Sequence, residues 1–129
     1  MNIEYGIKKQ VTLTYEEAVE KARTELKKEK FGILTEINVP EKLKEKLDVD
    51  VEKYIILGAC HPPSAYKAFQ AEQDIGLMLP CNVIVYEKDN KVTVAAIKPT
   101  TAMGMIDNPN LKAIANEVEE KLKKVVEII

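Results

Sequence analysis

The chain has 129 residues, of which 46% are apolar and 31% are charged, with 19 basic and 21 acidic residues and a net charge of −2. This length and composition predict one domain, residues 1–129, and argue against both a disordered chain and a membrane protein. The mixed charges leave no evident cationic face, so we expect no nucleic acid as a partner.

The compartment follows from the apolar segments and the cysteines. The first five residues lack a basic region followed by an apolar run, so no secretory signal is expected. The longest apolar stretches, such as Ile55 to Leu57, are far too short to cross a bilayer. We therefore expect a cytoplasmic protein in which Cys60 and Cys81 are thiols rather than a disulfide.

The first part of the chain predicts a strand, a helix and a second strand. Alternating residues from Ile3 to Leu13 predict the first strand. Thr14 and Glu17 form a capping-box pattern, and apolar residues at helical spacing predict a helix from Tyr15 to about Lys30. Gly32 is expected as the left-handed residue that ends this helix.

The middle of the chain predicts two further strands and two short helices. Residues alternate from Ile33 to Val39, which predicts the second strand, and Pro40 then begins a short helix. The apolar run from Tyr54 to Cys60 is typical of a buried strand. Pro62 and Pro63 end that strand, and the pattern after them predicts a short helix that finishes before Gly76.

The last part of the chain predicts a hairpin and a long helix. Strands Cys81–Glu87 and Val92–Ile97 are joined around Asp89-Asn90, a tight turn. Asn108 and Pro109 begin the final helix, whose apolar stripe faces the core. The order β-α-β-(α)-β-α-β-β-α predicts an α+β fold in which helices cover a mostly antiparallel sheet.

Two motifs carry a resemblance to a known family. Leu57-Gly58-Ala59-Cys60-His61-Pro62-Pro63 and Leu79-Pro80-Cys81-Asn82, with Phe31-Gly32-Ile33 upstream, resemble the domain-of-unknown-function family 302 over nearly the whole chain. The resemblance implies a small α+β fold with an antiparallel sheet, a homodimer, and no established activity. Asparagine is more usual in the family where His61 stands, which weakens an essential role for the imidazole.

The first candidate site is the junction of a strand and a helix at Cys60 and His61. A helix N-terminus offers free N–H groups and partial positive charge, which lower a thiol pKa or hold an anion with Ser64 as a further donor. This favours either ligand binding by Cys60, His61 and Ser64 or a thiol-dependent enzyme with Cys60 as nucleophile. Alternatively, Cys60 is simply a buried small apolar residue. His61 is a poor base for Cys60, because adjacent strand residues point to opposite faces.

The second candidate site surrounds Cys81. A turn at Asp89-Asn90 pairs residues whose numbers sum to about 179, so Cys81 lies near Lys98 across the hairpin. The chain beyond Lys98 therefore passes the end of the sheet where Cys81 lies. That segment contains Met103 and Met105, and a thiolate with two thioethers is a soft ligand set that suits Cu(I). Alternatively, both methionines fill gaps in the core.

Two polar residues extend the second site, and its relation to Cys60 stays open. Glu72 closes the preceding helix, and Asn82 belongs to a polar group where the hairpin meets the last helix, which suits either a small-molecule pocket or helix capping. If the strands of Cys60 and Cys81 run parallel, their ends lie about 20 Å apart. If they run antiparallel, or if a dimer partner intervenes, both thiols can share one pocket.

The sequence therefore favours a homodimeric cytoplasmic binding module for a small ligand or a soft metal ion such as copper. A thiol-dependent enzyme and a structural or regulatory interaction protein are the alternatives. The chain has no glycine-rich phosphate loop, no Cys-x-x-Cys pair and no second histidine, so none of the familiar motifs decides between them.

Overall fold

The computed structural model describes residues 2–129 and has the α+β architecture that the sequence predicts. The strands are β1 Asn2–Ile3, β2 Gly6–Val11, β3 Gly32–Asn38, β4 Tyr54–Cys60, β5 Cys81–Lys88 and β6 Lys91–Ile97. The helices are α1 Tyr15–Lys28, α2 Val39–Leu47, α3 Pro62–Ala71, α4 Pro99–Ala102 and α5 Pro109–Ile128, and a 3₁₀ helix spans Gln73–Met78.

The six strands form one sheet in the order β1-β2-β6-β5-β4-β3. Each neighbouring pair is antiparallel, which confirms the mostly antiparallel sheet that the sequence predicts. The β5–β6 hairpin turns at Asp89 and Asn90, whose φ angles of 53° and 63° suit a tight two-residue connection. Its register pairs Val83 with Ala96, so paired numbers sum to 179 as the turn predicts.

Helices α1 and α5 cover one face of the sheet and bury the main core. The strands contribute alternate residues, because only every second side chain of a strand faces the helices. This core includes Leu57, Val83, Val85 and Val94 from the sheet, Ala18, Ala22 and Leu26 from α1, and Val118, Leu122 and Val125 from α5. The opposite face carries the stacked rings of Tyr54 and Tyr86 and packs against α2.

A second, smaller apolar cluster lies beyond the end of the sheet. It joins α3, the 3₁₀ helix and the segment around α4 to the first half of α5. Its buried members are Ala68, Ile75, Met103, Leu111 and Ala115. The 20 residues of α5 therefore bridge the two clusters, with the N-terminal half in the small one and the C-terminal half in the main core.

The predicted helix caps are confirmed. The Glu17 N–H donates to Thr14 Oγ1 at 3.1 Å, and the Thr14 N–H donates to Glu17 Oε1 at 2.9 Å, which completes the capping box. The Asn108 side chain accepts hydrogen bonds from the N–H groups of Asn110 and Leu111 at the start of α5.

Two local predictions are wrong, and two short helices were missed. The strand expected from Ile3 to Leu13 is two strands, because the chain turns between Ile3 and Gly6 and the two pair with each other. Helix α1 ends at Lys28, and Lys30 takes the positive φ of 68° that Gly32 was expected to have. The 3₁₀ helix and α4 were not predicted, since neither shows a full turn of apolar periodicity.

A bulge in β3 also changes which residues share a face. The register with β4 shifts between Ile33 and Thr35, so Ile33 packs on the main core while Thr35 lies opposite Gly58. A side chain on Gly58 would overlap Thr35 Oγ1 and would lie 2.8 Å from Pro80 Cγ. The close approach of β3, β4 and Pro80 therefore requires glycine at position 58.

We expect Gly58→Ala to destabilise the fold by about 1–3 kcal/mol, because the added methyl group must displace Thr35 and the Pro80 ring. Gly32→Ala is the matched control, since an added Cβ there has no atom within 4 Å. Urea denaturation of both variants measures the difference in unfolding free energy. Equal stability of the two would contradict this account of Gly58.

Candidate functional site

A cavity of about 280 Å³ opens at the end of the sheet where β4 finishes and β5 begins. Helix α3 and the 3₁₀ helix lie on one side of it, and α4 and α5 lie on the other. Three sulfur-containing residues line the cavity: Cys60, Cys81 and Met103. The remaining walls are almost entirely apolar, and Ser64 supplies a hydroxyl group.

The cavity lies where the two apolar clusters meet. Ala59, Cys81 and Val118 of its lining belong to the main core, whereas Met103 and others belong to the second cluster. Close packing is prevented because many of the facing residues are too small to meet across the gap. These small lining residues are Ala59, Ser64, Ala65, Ala68, Gly76 and Ala115.

Antiparallel pairing brings the two cysteines together. Ala59 is the direct partner of Cys81 in the β4–β5 ladder, and Cys60 is the next residue along β4. Cys81 is buried and Cys60 is half-buried, and both are free thiols that line the same cavity. Of the two arrangements that the sequence left open, the antiparallel one is present, and one subunit alone supplies both thiols.

The environment of the thiols disfavours their charged form. Burial raises the pKa of the Cys60 thiol above its usual value. Burial, with a smaller contribution from the charge of Cys60, raises the pKa of Cys81 to about 11. A nucleophilic Cys60 requires the opposite shift, so the raised pKa disfavours the hypothesis of a thiol-dependent enzyme.

His61 holds Ser64 at the cavity wall. His61 is the N-cap residue of α3, and its Nδ1 shares a hydrogen bond of 2.7 Å with Ser64 Oγ. Burial and, secondarily, the charge of Lys121 lower the pKa of His61, so its imidazole is neutral at pH 7. The His61 ring packs against Phe31 with 5.5 Å between centroids and does not line the cavity. Its contribution is to orient the Ser64 hydroxyl.

Three of the predicted site residues lie away from this cavity. Met105 is 79% exposed. Asn82 lies on the opposite face of the sheet, since it follows Cys81 directly in β5. Glu72 ends α3 and accepts a hydrogen bond of 3.2 Å from Asn108 Nδ2. The structure thus gathers Cys60, Ser64, Cys81 and Met103 at one site.

The small residues of α3 are the feature that sequence analysis missed. Ser64, Ala65 and Ala68 have the i, i+1, i+4 spacing of one helix face, and all three line the cavity. A helix face without large side chains cannot fill the space in front of it. This spacing, next to a cysteine at the end of a strand, was the available signal for a cavity.

Residues 2–129 lack two features that would point to particular functions. That part of the chain holds no group of three or more His, Cys, Asp or Glu side chains arranged to bind a metal ion. It also holds no helix with the length and apolar content needed to cross a membrane.

Comparisons with other proteins identify a family and a similar solved structure. The family model "Domain of unknown function DUF302" matches residues 7–129. The crystal structure of an uncharacterized conserved DUF302 protein from Bacillus stearothermophilus is similar, with a TM-score of 0.90 and 31% sequence identity. The match covers 97% of this chain and 98% of that one. None of the curated proteins matches the chain.

We expect both thiols to react with iodoacetamide at pH 7.5 more slowly than the same thiols in the urea-unfolded chain. Only the thiolate reacts, and a raised pKa keeps each thiol protonated at this pH. Cys81, with its pKa of about 11, should be the slower of the two and should gain about tenfold in rate per pH unit up to that value. Mass spectrometry of the two cysteine peptides measures each rate of alkylation. If Cys60 reacts faster in the folded chain than in the unfolded chain, the hypothesis of a thiol-dependent enzyme is favoured again.

Proposed function

We propose, from the premise that the chain belongs to the DUF302 family, that it is a cytoplasmic homodimer that binds a small, mainly apolar molecule in the cavity beside Cys60, Cys81 and Met103. The observation that carries the proposal is the cavity itself, about 280 Å³ of space with almost wholly apolar walls. Small-molecule pockets are lined mainly by apolar side chains with a few polar groups, and this lining has that character.

The size and chemistry of the cavity favour a particular class of ligand. Its volume is at the lower end of the roughly 300–1,000 Å³ of small-molecule pockets, which favours a small ligand. A charged ligand would lose its hydration without gaining a partner, because the lining contains no Asp, Glu, Lys, Arg or His. The Ser64 hydroxyl is placed to bond one polar group of a ligand that is otherwise apolar.

The mouth of the cavity supports the homodimer. Leu34 and Phe69 line the cavity and are nevertheless 66% and 42% exposed, and Leu77 of the adjoining 3₁₀ helix is 86% exposed. Strand β3, which carries Leu34, is an edge strand of the sheet. Exposed apolar side chains gathered beside an open edge favour a partner surface, and a second copy there would also close the mouth.

We expect Ala115→Leu to abolish ligand binding, because the larger side chain on α5 fills the cavity. Ala113→Leu makes the same change two residues away on the exposed side of α5 and should bind as the unsubstituted protein does. Saturation-transfer NMR with indole and short aliphatic alcohols measures the binding.

Ala65→Leu provides a second test from the α3 side if Ala115→Leu proves too unstable, since Ala65 lines the cavity and is only half-buried. Saturating ligand should also raise the free energy of unfolding of the unsubstituted chain, by about 2.7 kcal/mol at a hundredfold excess over Kd. If Ala115→Leu and Ala65→Leu bind the probes as well as Ala113→Leu does, the probes bind outside the cavity, and the proposal is contradicted.

We expect Leu77→Asp to weaken the dimer, because it places a charge in the apolar surface around the cavity mouth. Leu47→Asp is the matched control, since Leu47 is equally a large exposed apolar residue but belongs to α2 on the other face of the sheet. Light scattering after size-exclusion chromatography gives the mass of each variant. A monomeric unsubstituted protein, or equal loss of dimer in both variants, would exclude this surface as the interface.

A further inference from the structure

Ser64 carries the hydroxyl group of the cavity lining. The residue is only 5% exposed and lies in the first turn of α3, three residues after His61. Its Oγ is 2.7 Å from His61 Nδ1. The direction in which the hydroxyl proton points decides whether a bound molecule meets a hydrogen-bond donor or an acceptor there.

The hydrogen bonds of Ser64 fix the direction of that proton. A serine or threonine in a helix often donates to the carbonyl group four residues earlier, as Thr24 does to the Glu20 carbonyl at 3.0 Å. Within residues 2–129, Ser64 makes no such bond, and His61 Nδ1 is the partner of its Oγ. A proton on Nδ1 would leave the buried Ser64 proton without an acceptor, which is unfavourable. Neutral His61 therefore accepts at Nδ1 and carries its own proton on Nε2.

Donation to His61 leaves the lone pairs of Ser64 Oγ as its remaining hydrogen-bonding capacity. In this state the hydroxyl oxygen accepts from a ligand and does not donate to it. A ligand whose polar group is an N–H or O–H gains a hydrogen bond to Ser64. A ligand whose polar group only accepts loses its hydrogen bond to water and gains none from this hydroxyl.

We propose that the hydrogen bond from Ser64 to His61 makes the cavity selective for neutral, mainly apolar molecules that carry one N–H or O–H donor. This inference rests on the proposed function, because it concerns the same cavity, and it adds the polarity of the ligand's hydrogen-bonding group. His61 is a positioning residue, since it acts through Ser64 and does not line the cavity.

Protonation of His61 reverses the polarity of Ser64. An imidazolium carries a proton on each ring nitrogen, so Nδ1 then donates to Ser64 Oγ and the hydroxyl proton is released to the cavity. Burial and, secondarily, the charge of Lys121 lower the pKa of His61, so the reversal occurs at a pH below the ordinary histidine value of about 6.5.

The charged groups around the His61 ring come from three helices. Burial has the largest influence on the ring, the two lysines lower its pKa, and the two glutamates raise it. These groups are Lys121 and Glu117 of α5, Lys67 of α3 and Glu29 at the end of α1. Because none of the four lines the cavity, the protonation of His61 reaches a ligand through Ser64.

The first test compares indole, benzofuran and indene, which share one two-ring shape. Indole donates from its N–H, benzofuran accepts at its ring oxygen, and indene does neither. Titrations followed by saturation-transfer NMR at pH 7.5 give the dissociation constant of each probe. We expect the preference for indole over indene to be about 2- to 10-fold larger in the unsubstituted chain than in Ser64→Ala, the size of one hydrogen bond. The comparison with Ser64→Ala cancels differences in how water solvates the probes.

The second test follows His61 without any substitution. His61 is the sole histidine of the chain, so the ¹⁵N signals of its ring report both its tautomer and its protonation. At pH 7.5 we expect the proton on Nε2. As the ring gains its second proton, indole should lose its advantage and benzofuran should bind more tightly relative to indene. In Ser64→Ala, where the same surrounding groups titrate, the relative affinities of the probes should not change with pH.

The inference and the proposed function fail in different ways. If no probe binds, the proposed function fails and the inference falls with it. If the probes bind in the cavity, as judged by their loss in Ala115→Leu, the proposed function stands. The inference is then overturned by an indole preference that is equal in Ser64→Ala, by a ring proton on Nδ1 at pH 7.5, or by a preference that stays constant while the ring signals titrate.

Discussion

The antiparallel pairing of β4 with β5 is the constraint on which the rest of the site depends. It sets Ala59 opposite Cys81, so the strand that ends with one cysteine lies beside the strand that begins with the other. Gly58 helps to hold this arrangement, because its missing side chain lets Thr35 and Pro80 approach the strand closely. Ala59 and Cys81 face the main core together, and Cys60, one residue further along β4, lies at the end of the sheet where the cavity opens.

Helix α5 explains how the chain tolerates a cavity beside its core. Its C-terminal half packs with α1 on the sheet, where large apolar side chains are fully buried and supply most of the packing. Its N-terminal half meets α3 through small residues, and the space between them stays open. The small residues around the cavity make fewer van der Waals contacts than a close-packed core would. The free energy gained by burying apolar surface in the main core offsets that loss.

The electrostatics of the site are those of a nearly uncharged interior. Burial raises the pKa of both thiols and lowers the pKa of His61, so all three groups are neutral at pH 7. Such a site suits neutral, mainly apolar molecules. It gives little help to reactions that need a thiolate or an imidazolium at neutral pH.

The sequence by itself determined the features that depend on local interactions. The capping box of Thr14 and Glu17, the Asn108 cap and the hairpin at Asp89-Asn90 all follow from contacts within a few residues. Because a tight turn fixes hairpin register, even the pairing of Val83 with Ala96 was predictable. The Cys-x-Pro and Leu-Pro-Cys-Asn motifs, in turn, were enough to identify the family. Only the tertiary structure decided that Cys60 and Cys81 share a cavity, that Asn82 faces away from it, and that Met105 lies outside it. These outcomes depend on which distant strands pair and on how two apolar clusters meet, and no pattern of neighbouring residues specifies such long-range contacts.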